Sequence, residues 1–386
     1  MYTKSIAHLA TTFYSSASRR ALPKMTPDIS FINDNSTLEK ACLIWNEAPV
    51  LALDTEFIRT DTFYPIPALL QVYDGKHCYL LDLVALTDFS ALIAIFNNKS
   101  IVKVLHSCSE DLEIFDGLLK TLPTPIFDTQ IAAAFLGYGF SIGYSRLVKT
   151  LFDTEPPKDE SRSNWLQRPL TRDQIEYAAL DVIYLHKVYL YFYEQLAGSE
   201  KNAWIEQSHL EMLDNYRTNQ QPEHYFQRIK SAWRLSDDQQ HALYEFCLWR
   251  EHEARRRNKP RNRISPDEAL FEHAQHNTHP RGYIESPVKP IAYPKPDMPL
   301  PRETGDLIKK LKSQVDNVAR HFNIAPEVLG RKKDLTALVS SGITAGSFQL
   351  PPAFRGWRKN IVGDELLKSA DAWKSRQETL SEAEIK

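Results

Sequence analysis

Asp54, Thr55 and Glu56 close an apolar run that begins at Val50. In an extended strand, residues i and i+2 point to the same side, so both carboxylates can address one cation. Two acids at the end of a core strand are costly to bury without a counter-charge. A hard divalent cation such as Mg²⁺ or Mn²⁺, which takes oxygen ligands, removes that cost. Another acid, Asp111, follows the run Ile101–Leu105 and falls in the first turn of a helix predicted over Ser107–Leu119. Asp181 lies on a long helical pattern from Arg172 to Leu196, with Tyr177 four residues earlier. That spacing puts phenol and carboxylate on one helix face. Each feature alone has an ordinary reading. A D-x-E pair is more often a solvated turn, an acid in a first turn answers the helix dipole, and a Tyr–Asp pair is more often a satisfied core pair.

The elements that must position these groups can be read from the surrounding text. Val50–Asp54, Ala68–Val72, Cys78–Leu81 and Ile101–Leu105 are short apolar runs of strand type, and helical segments alternate with them from about residue 29. This order predicts an α/β domain with a central sheet, ending near residues 200–215. Thr171 is the expected N-cap of the long helix, with Gln174 completing a capping box. Pro67 is expected to reshape an edge strand. Past the α/β domain the strand signals stop. Residues 222–285 read as short helices, with Trp233, Leu243, Phe246 and Trp249 at roughly helical spacing. Ser286–Pro301 carries six prolines, which neither a helix nor a central strand tolerates, so it is expected to be a linker. The last stretch again reads as helical.

A chain of 386 residues exceeds one compact core, so two or three domains are expected. The formal net charge of −2 excludes a globally basic nucleic-acid binder and leaves that task to local clusters. The run from Arg250 to Arg263 holds seven Lys or Arg residues. Arg255, Arg256, Arg257, Lys259 and Arg261 are the candidates there for neutralising phosphates, against the reading of a solvated helix face. Four scattered cysteines, without a C-x-x-C pair, argue against a structural zinc site or a disulfide framework and fit a reducing, cytoplasmic setting. No apolar run is long enough to span a bilayer. Residues 1–24 contain Lys and Arg but no acid; a disordered or mis-assigned extension is expected there, with a transit segment as the alternative.

Three motifs now stand in order: LALDTEFIRTDTFYP, LHSCSEDLEIF and RPLTRDQIEYAALDVIYL. Together they resemble the ribonuclease D family of the DEDD exonuclease superfamily. Position 176 is Glu, so the subclass with a histidine five residues before the last aspartate does not fit, and the tyrosine subclass does. Asn164 stands where the family often has aspartate. The segment Phe246–Pro260 resembles the helical HRDC module, and residues 303–370 resemble a second, more divergent copy.

The resemblance implies a ribonuclease H-like α/β exonuclease domain over 25–215, a mixed sheet flanked by helices. Two all-α HRDC-like domains, 216–285 and 302–386, would follow, joined by the linker 286–301. It also implies two divalent cations held by Asp54, Glu56, Asp111 and Asp181, with Tyr177 orienting the attacking water. The activity would be stepwise 3′-to-5′ release of nucleoside 5′-monophosphates from RNA, with precursor tRNA and other structured RNA as substrates. The enzyme would act as a monomer, away from membranes. His106 is expected to be structural, since metal chemistry makes a histidine base unnecessary. Two rivals are a DNA exonuclease and a non-catalytic RNA-binding scaffold. With all four acids ahead of residue 200, the α/β domain is expected to cut short single strands unaided.

Overall fold

The computed structural model describes residues 28–154, 160–284, 293–296 and 298–384. The expectation for residues 1–24 lies outside the described residues, as does that for most of the first half of the proline-rich segment.

Six strands form one mixed sheet: β1 (Ile29–Ile32), β2 (Val50–Ile58), β3 (Ile66–Tyr73), β4 (Cys78–Asp82), β5 (Val102–Leu105) and β6 (Ile126–Asp128), in the spatial order β1-β4-β3-β2-β5-β6. The β2–β3 and β3–β4 pairs are antiparallel; β1–β4, β2–β5 and β5–β6 are parallel. Helices α1 (Asn35–Trp45), α2 (Ser90–Asn97) and α3 (Ser109–Leu119) place Leu38, Trp45, Leu92, Phe96, Leu112 and Phe115 with Leu51, Leu53, Leu70 and Val72 in one buried layer. Short helices α4 (Thr129–Phe135) and α5 (Tyr144–Phe152) precede the long α6 (Arg172–Leu196). On the opposite face of the sheet, Ala178, Ala179, Val182 and Leu185 of α6 pack with Val50, Ala52, Leu69 and Leu80. The alternation of side chains along β2 therefore feeds both layers, which is why the strand reads as nearly continuous apolar text. Helix α7 (Lys201–Asn219) returns Leu213 to the first layer.

Helices α8 (Asp237–Arg256), α9 (Arg261–Ile264) and α10 (Asp267–Gln275) come next, and no strand follows residue 128 among the described residues. Leu243, Phe246, Cys247, Leu270 and Ala274 build their core with Phe226 and Ile229. Instead of only short helices, the region contains the 20-residue α8, started by a Ser236–Gln239 capping box. The described chain divides into two compact units. Residues within Met1–Gln130 and Gly143–Pro296 form one, and residues within Ile131–Ile142 and Asp297–Lys386 the other. In the second unit, α11 (Gly305–Phe322) packs with α12 (Lys332–Ala345) and α13 (Asp364–Glu384). It takes in the earlier segment 131–142: Ala325 N donates to Ala134 O at 2.8 Å, and the Phe135 ring lies 5.7 Å from Trp357.

Pro67 does not sit on an edge. β3 lies between β4 and β2, and the β2–β3 register shifts between Glu56 and Phe57, where Phe57 faces Pro67. A bulge is where an interior strand accommodates a residue with no N–H. Helix α3 also begins two residues later than its sequence pattern, because Ser107 takes a left-handed φ of 58°. All four cysteines are free and buried. Among the described residues, no helix is long and apolar enough to cross a membrane.

Candidate metal centre

Asp54 and Glu56 lie on the face of β2 that α6 covers. Across the ladder, Asp54 faces Gln71 and Glu56 faces Leu69. Asp181 reaches the same place from α6, whose start is fixed by Thr171: its hydroxyl accepts from Gln174 N at 3.2 Å while the side-chain Oε1 of Gln174 accepts from Thr171 N at 2.9 Å. The segment ahead of that cap is fastened by Arg168, which makes a forked ion pair with Asp82 at 2.6 and 2.7 Å and also donates to Ala68 O. Asn164 serves the same turn, with its backbone carbonyl accepting from Gln174 and its side chain from Leu166 N. Carboxylate oxygens of Asp54, Glu56 and Asp181 all come within 4.8 Å of one another.

Asp111 comes from the opposite helical layer. β5 ends at Leu105 and hands the chain to α3, so the first turn of that helix lies at the carboxyl ends of parallel strands β5 and β2, the usual ligand side of such sheets. Thr55, between the two β2 acids, donates its hydroxyl to Asp111 Oδ1 at 2.5 Å. Asp128, at the end of β6, accepts from Cys108 N at 2.9 Å and from Gln130 N at 2.7 Å, which anchors the start of α3. Asp111 is outside the three-carboxylate group but acts on it electrostatically.

The charge state of the site follows from burial. Burial raises the Asp54 carboxyl well above its ordinary value, and the charges of Asp111 and Asp181 push it the same way. Asp111 is pushed up to about 7, chiefly by burial, against the opposing hydrogen bond from Thr55. Tyr177 is held protonated far above neutral pH by burial, by Asp181, Glu56 and Asp54, and by its hydrogen bond to Asp181. Tyr144 is held protonated likewise, and its hydroxyl donates to the Asp181 backbone carbonyl at 2.5 Å. An all-oxygen group of mutually repelling acids is the donor set that suits a hard divalent cation.

Sequence reasoning did not single out Thr55, Tyr144, Asp128 or the Asp82–Arg168 pair. Thr55 lies inside the first motif and Tyr144 between the second and third, and only the tertiary structure reveals their partners. His106 is structural in its contacts, with Nδ1 2.9 Å from Thr129 Oγ1 and its ring beside Tyr144. The basic run is largely turned onto the protein itself. Arg255 donates to Gln220 O, Arg256 pairs with Glu253, Lys259 pairs with Asp61, and Arg261 pairs with buried Glu251. Arg256, Arg257 and Arg263 are the members of the run that are exposed.

Residues 29–197, which carry Asp54, Glu56, Asp111 and Asp181, match the family of 3′-5′ exonucleases. Over 371 residues the chain is 40% identical to ribonuclease D of Pseudomonas paraeruginosa, covering 90% of this chain and 98% of that protein. The chain belongs to the ribonuclease D family. Ribonuclease D of Escherichia coli is 32% identical over 87% of this chain and 96% of its own. The crystal structure of E. coli ribonuclease D, an exoribonuclease involved in structured RNA processing, superimposes with a TM-score of 0.76 at 30% identity. That likeness covers 90% of this chain and 99% of that one, the helical region included. Membership of the ribonuclease D family makes this chain a 3′-5′ exoribonuclease built on a ribonuclease H-like sheet. It sets aside the non-catalytic scaffold.

Proposed function

We propose that Asp54, Glu56 and Asp181, with Asp111 at the margin, hold two divalent cations, Mg²⁺ or Mn²⁺, for hydrolysis of RNA from its 3′ end. The observation that carries this reading is the meeting of three carboxylates within 4.8 Å at the end of a core strand. Such cations supply a lowered pKa for water and positive charge for the phosphate and the departing 3′ oxygen. The protein's own part is to hold two acids of β2 and one from each helical layer in register, through the Thr171 cap and the Thr55 and Asp128 hydrogen bonds. Tyr177 stays protonated and so works as a hydrogen-bond donor that orients water, not as a base.

Precursor tRNA and other structured RNA with a free 3′ end are the proposed substrates, and nucleoside 5′-monophosphates the products. The E. coli relative's role in structured RNA processing supports this. We assign residues 25–215 to the nuclease domain and 216–285 and 302–386 to HRDC-like domains, with Arg256 and Arg257 as the phosphate-facing part of the basic run. Digestion of a 3′-extended tRNA and of single-stranded DNA, each with EDTA, Mg²⁺ or Mn²⁺, tests the reading. Cation-dependent shortening of the RNA one nucleotide at a time supports it; equal or faster loss of DNA transfers the assignment to a DNA exonuclease.

A further inference from the structure

The turn that continues the Asp54–Glu56 strand is fastened from two directions. It runs from Arg59 to Pro65, between the end of β2 and the start of β3. From one direction, Arg59 pairs with Glu113 and Glu110 of α3, the helix that bears Asp111, and donates to Phe63 O at 3.0 Å. From the other, the end of α8 closes over the tip. Asn258 Oδ1 accepts from both Phe63 N and Tyr64 N at 3.0 Å, from a left-handed backbone with φ of 49°. Lys259 pairs with Asp61 at 2.8 Å. The Phe63 ring, 8% exposed, lies 5.3 Å from the guanidinium of Arg255 and 4.7 Å from that of Arg261. Arg261 is itself held by Glu251 and by the ring of Tyr225 at 3.7 Å.

The basic run thus spends Arg255, Lys259 and Arg261 on gripping one turn of the nuclease domain. A seven-residue turn left to itself would sample many conformations, and each fixed residue costs backbone entropy. Here one side-chain oxygen satisfies two consecutive amides and removes that freedom. The turn begins three residues beyond Glu56, on the same strand, and is tied to the helix of Asp111 by Arg59. We propose that Asn258, with Phe63 as its anchor, is a positioning residue for the carboxylate centre: the first helical module sets the spacing between Glu56 and Asp111, and contributes to the chemical step besides any grip on RNA. This rests on the reading of the carboxylates as the hydrolytic centre.

The test uses the full chain and single-turnover cleavage of a 5′-labelled four-nucleotide RNA with Mn²⁺. Asn258→Gly keeps the left-handed backbone and deletes the acceptor, whereas Asn258→Asp keeps an acceptor in a residue that tolerates that conformation. The glycine variant should lower the rate at saturating RNA by about tenfold or more, with KM changed by less than about twofold, as small misplacements of reacting groups do. Asn258→Asp should restore most of the rate, and amide exchange at Phe63 and Tyr64 should quicken only in the glycine variant. Phe63→Leu, which keeps an apolar anchor, should move the rate in the same direction should Asn258→Gly fold poorly. Rates that stay unchanged in both variants, or a loss confined to KM, would overturn the proposal. Asp54→Asn is the control: if it still cleaves, the hydrolytic reading of the site has failed, not the role of Asn258.

Discussion

Tyr177 and the acids beside it divide the work in a way that single substitutions can separate. Tyr177→Phe removes one hydroxyl next to Asp181 and leaves the four carboxylates in place. Loss of one positioned hydrogen bond should slow cleavage by roughly ten- to a thousandfold while Mn²⁺ affinity barely moves. Calorimetric titration of Mn²⁺ beside single-turnover rates checks this; a collapse of metal affinity would make Tyr177 structural instead. The acids make a second prediction, on pH. Asp54 and Asp111 are raised in the folded state, Asp111 to about 7, above the ordinary carboxylate value of roughly 4 in the unfolded chain. Between those values the folded protein holds protons that the unfolded chain has released, so metal-free stability should fall as pH rises from about 4 to about 7. Divalent cations, which bind the deprotonated acids of the folded state, should offset that fall. Melting temperatures across this range in EDTA and in MnCl₂, for the native chain and for Asp111→Asn, measure the effect. The metal-free slope should be shallower in the variant, and an equal slope in both would count against the site electrostatics described here.

At the scale of elements, the sequence was most legible where local chemistry decides the outcome. The bounds of α6 and its Thr171–Gln174 cap follow from a capping box and a sustained apolar period, and the structure places both where the pattern put them. Strands β2 to β5 were readable because buried strands make apolar runs bounded by turns. What local text could not carry was spatial order. That β3 lies inside the sheet, so that Pro67 needs a bulge, depends on which strands pair. The three clustered acids were legible as a set, but the stand-off of Asp111 and its tie to Thr55 arise from two helical layers meeting at one strand end. The basic run was legible only in part for a similar reason: its charge was visible, but its partners Asp61, Glu251 and Gln220 were not. The cap itself can be tested. Thr171→Ala should cost about 1 kcal/mol of stability, as loss of an N-cap side chain typically does. Urea melts of both proteins measure it, and an unchanged midpoint would mean that the Arg168–Asp82 pair alone fixes the start of α6.

For the whole molecule, the structure changes what truncation should do. A nuclease domain with its own core was expected to act alone on short strands. Removing residues 220–386 deletes Asn258 and Arg261, which cover Phe63, and Trp357, which packs on Phe135. The fragment should therefore melt at a lower temperature and cut a four-nucleotide RNA at least about tenfold more slowly than the full chain, given the sensitivity of catalysis to small displacements. A fragment as fast as the full chain on that RNA would return the helical half to RNA binding alone. The central claim, that the clustered acids are the hydrolytic metal centre, has a more direct test. Asp181→Ala in the full chain should remain folded, lose measurable affinity for Mn²⁺ in calorimetric titration, and still bind a 3′-extended tRNA. It should release almost no nucleoside 5′-monophosphate from that RNA in the presence of Mg²⁺ or Mn²⁺. Near-native Mn²⁺ affinity and turnover in that variant would contradict the account.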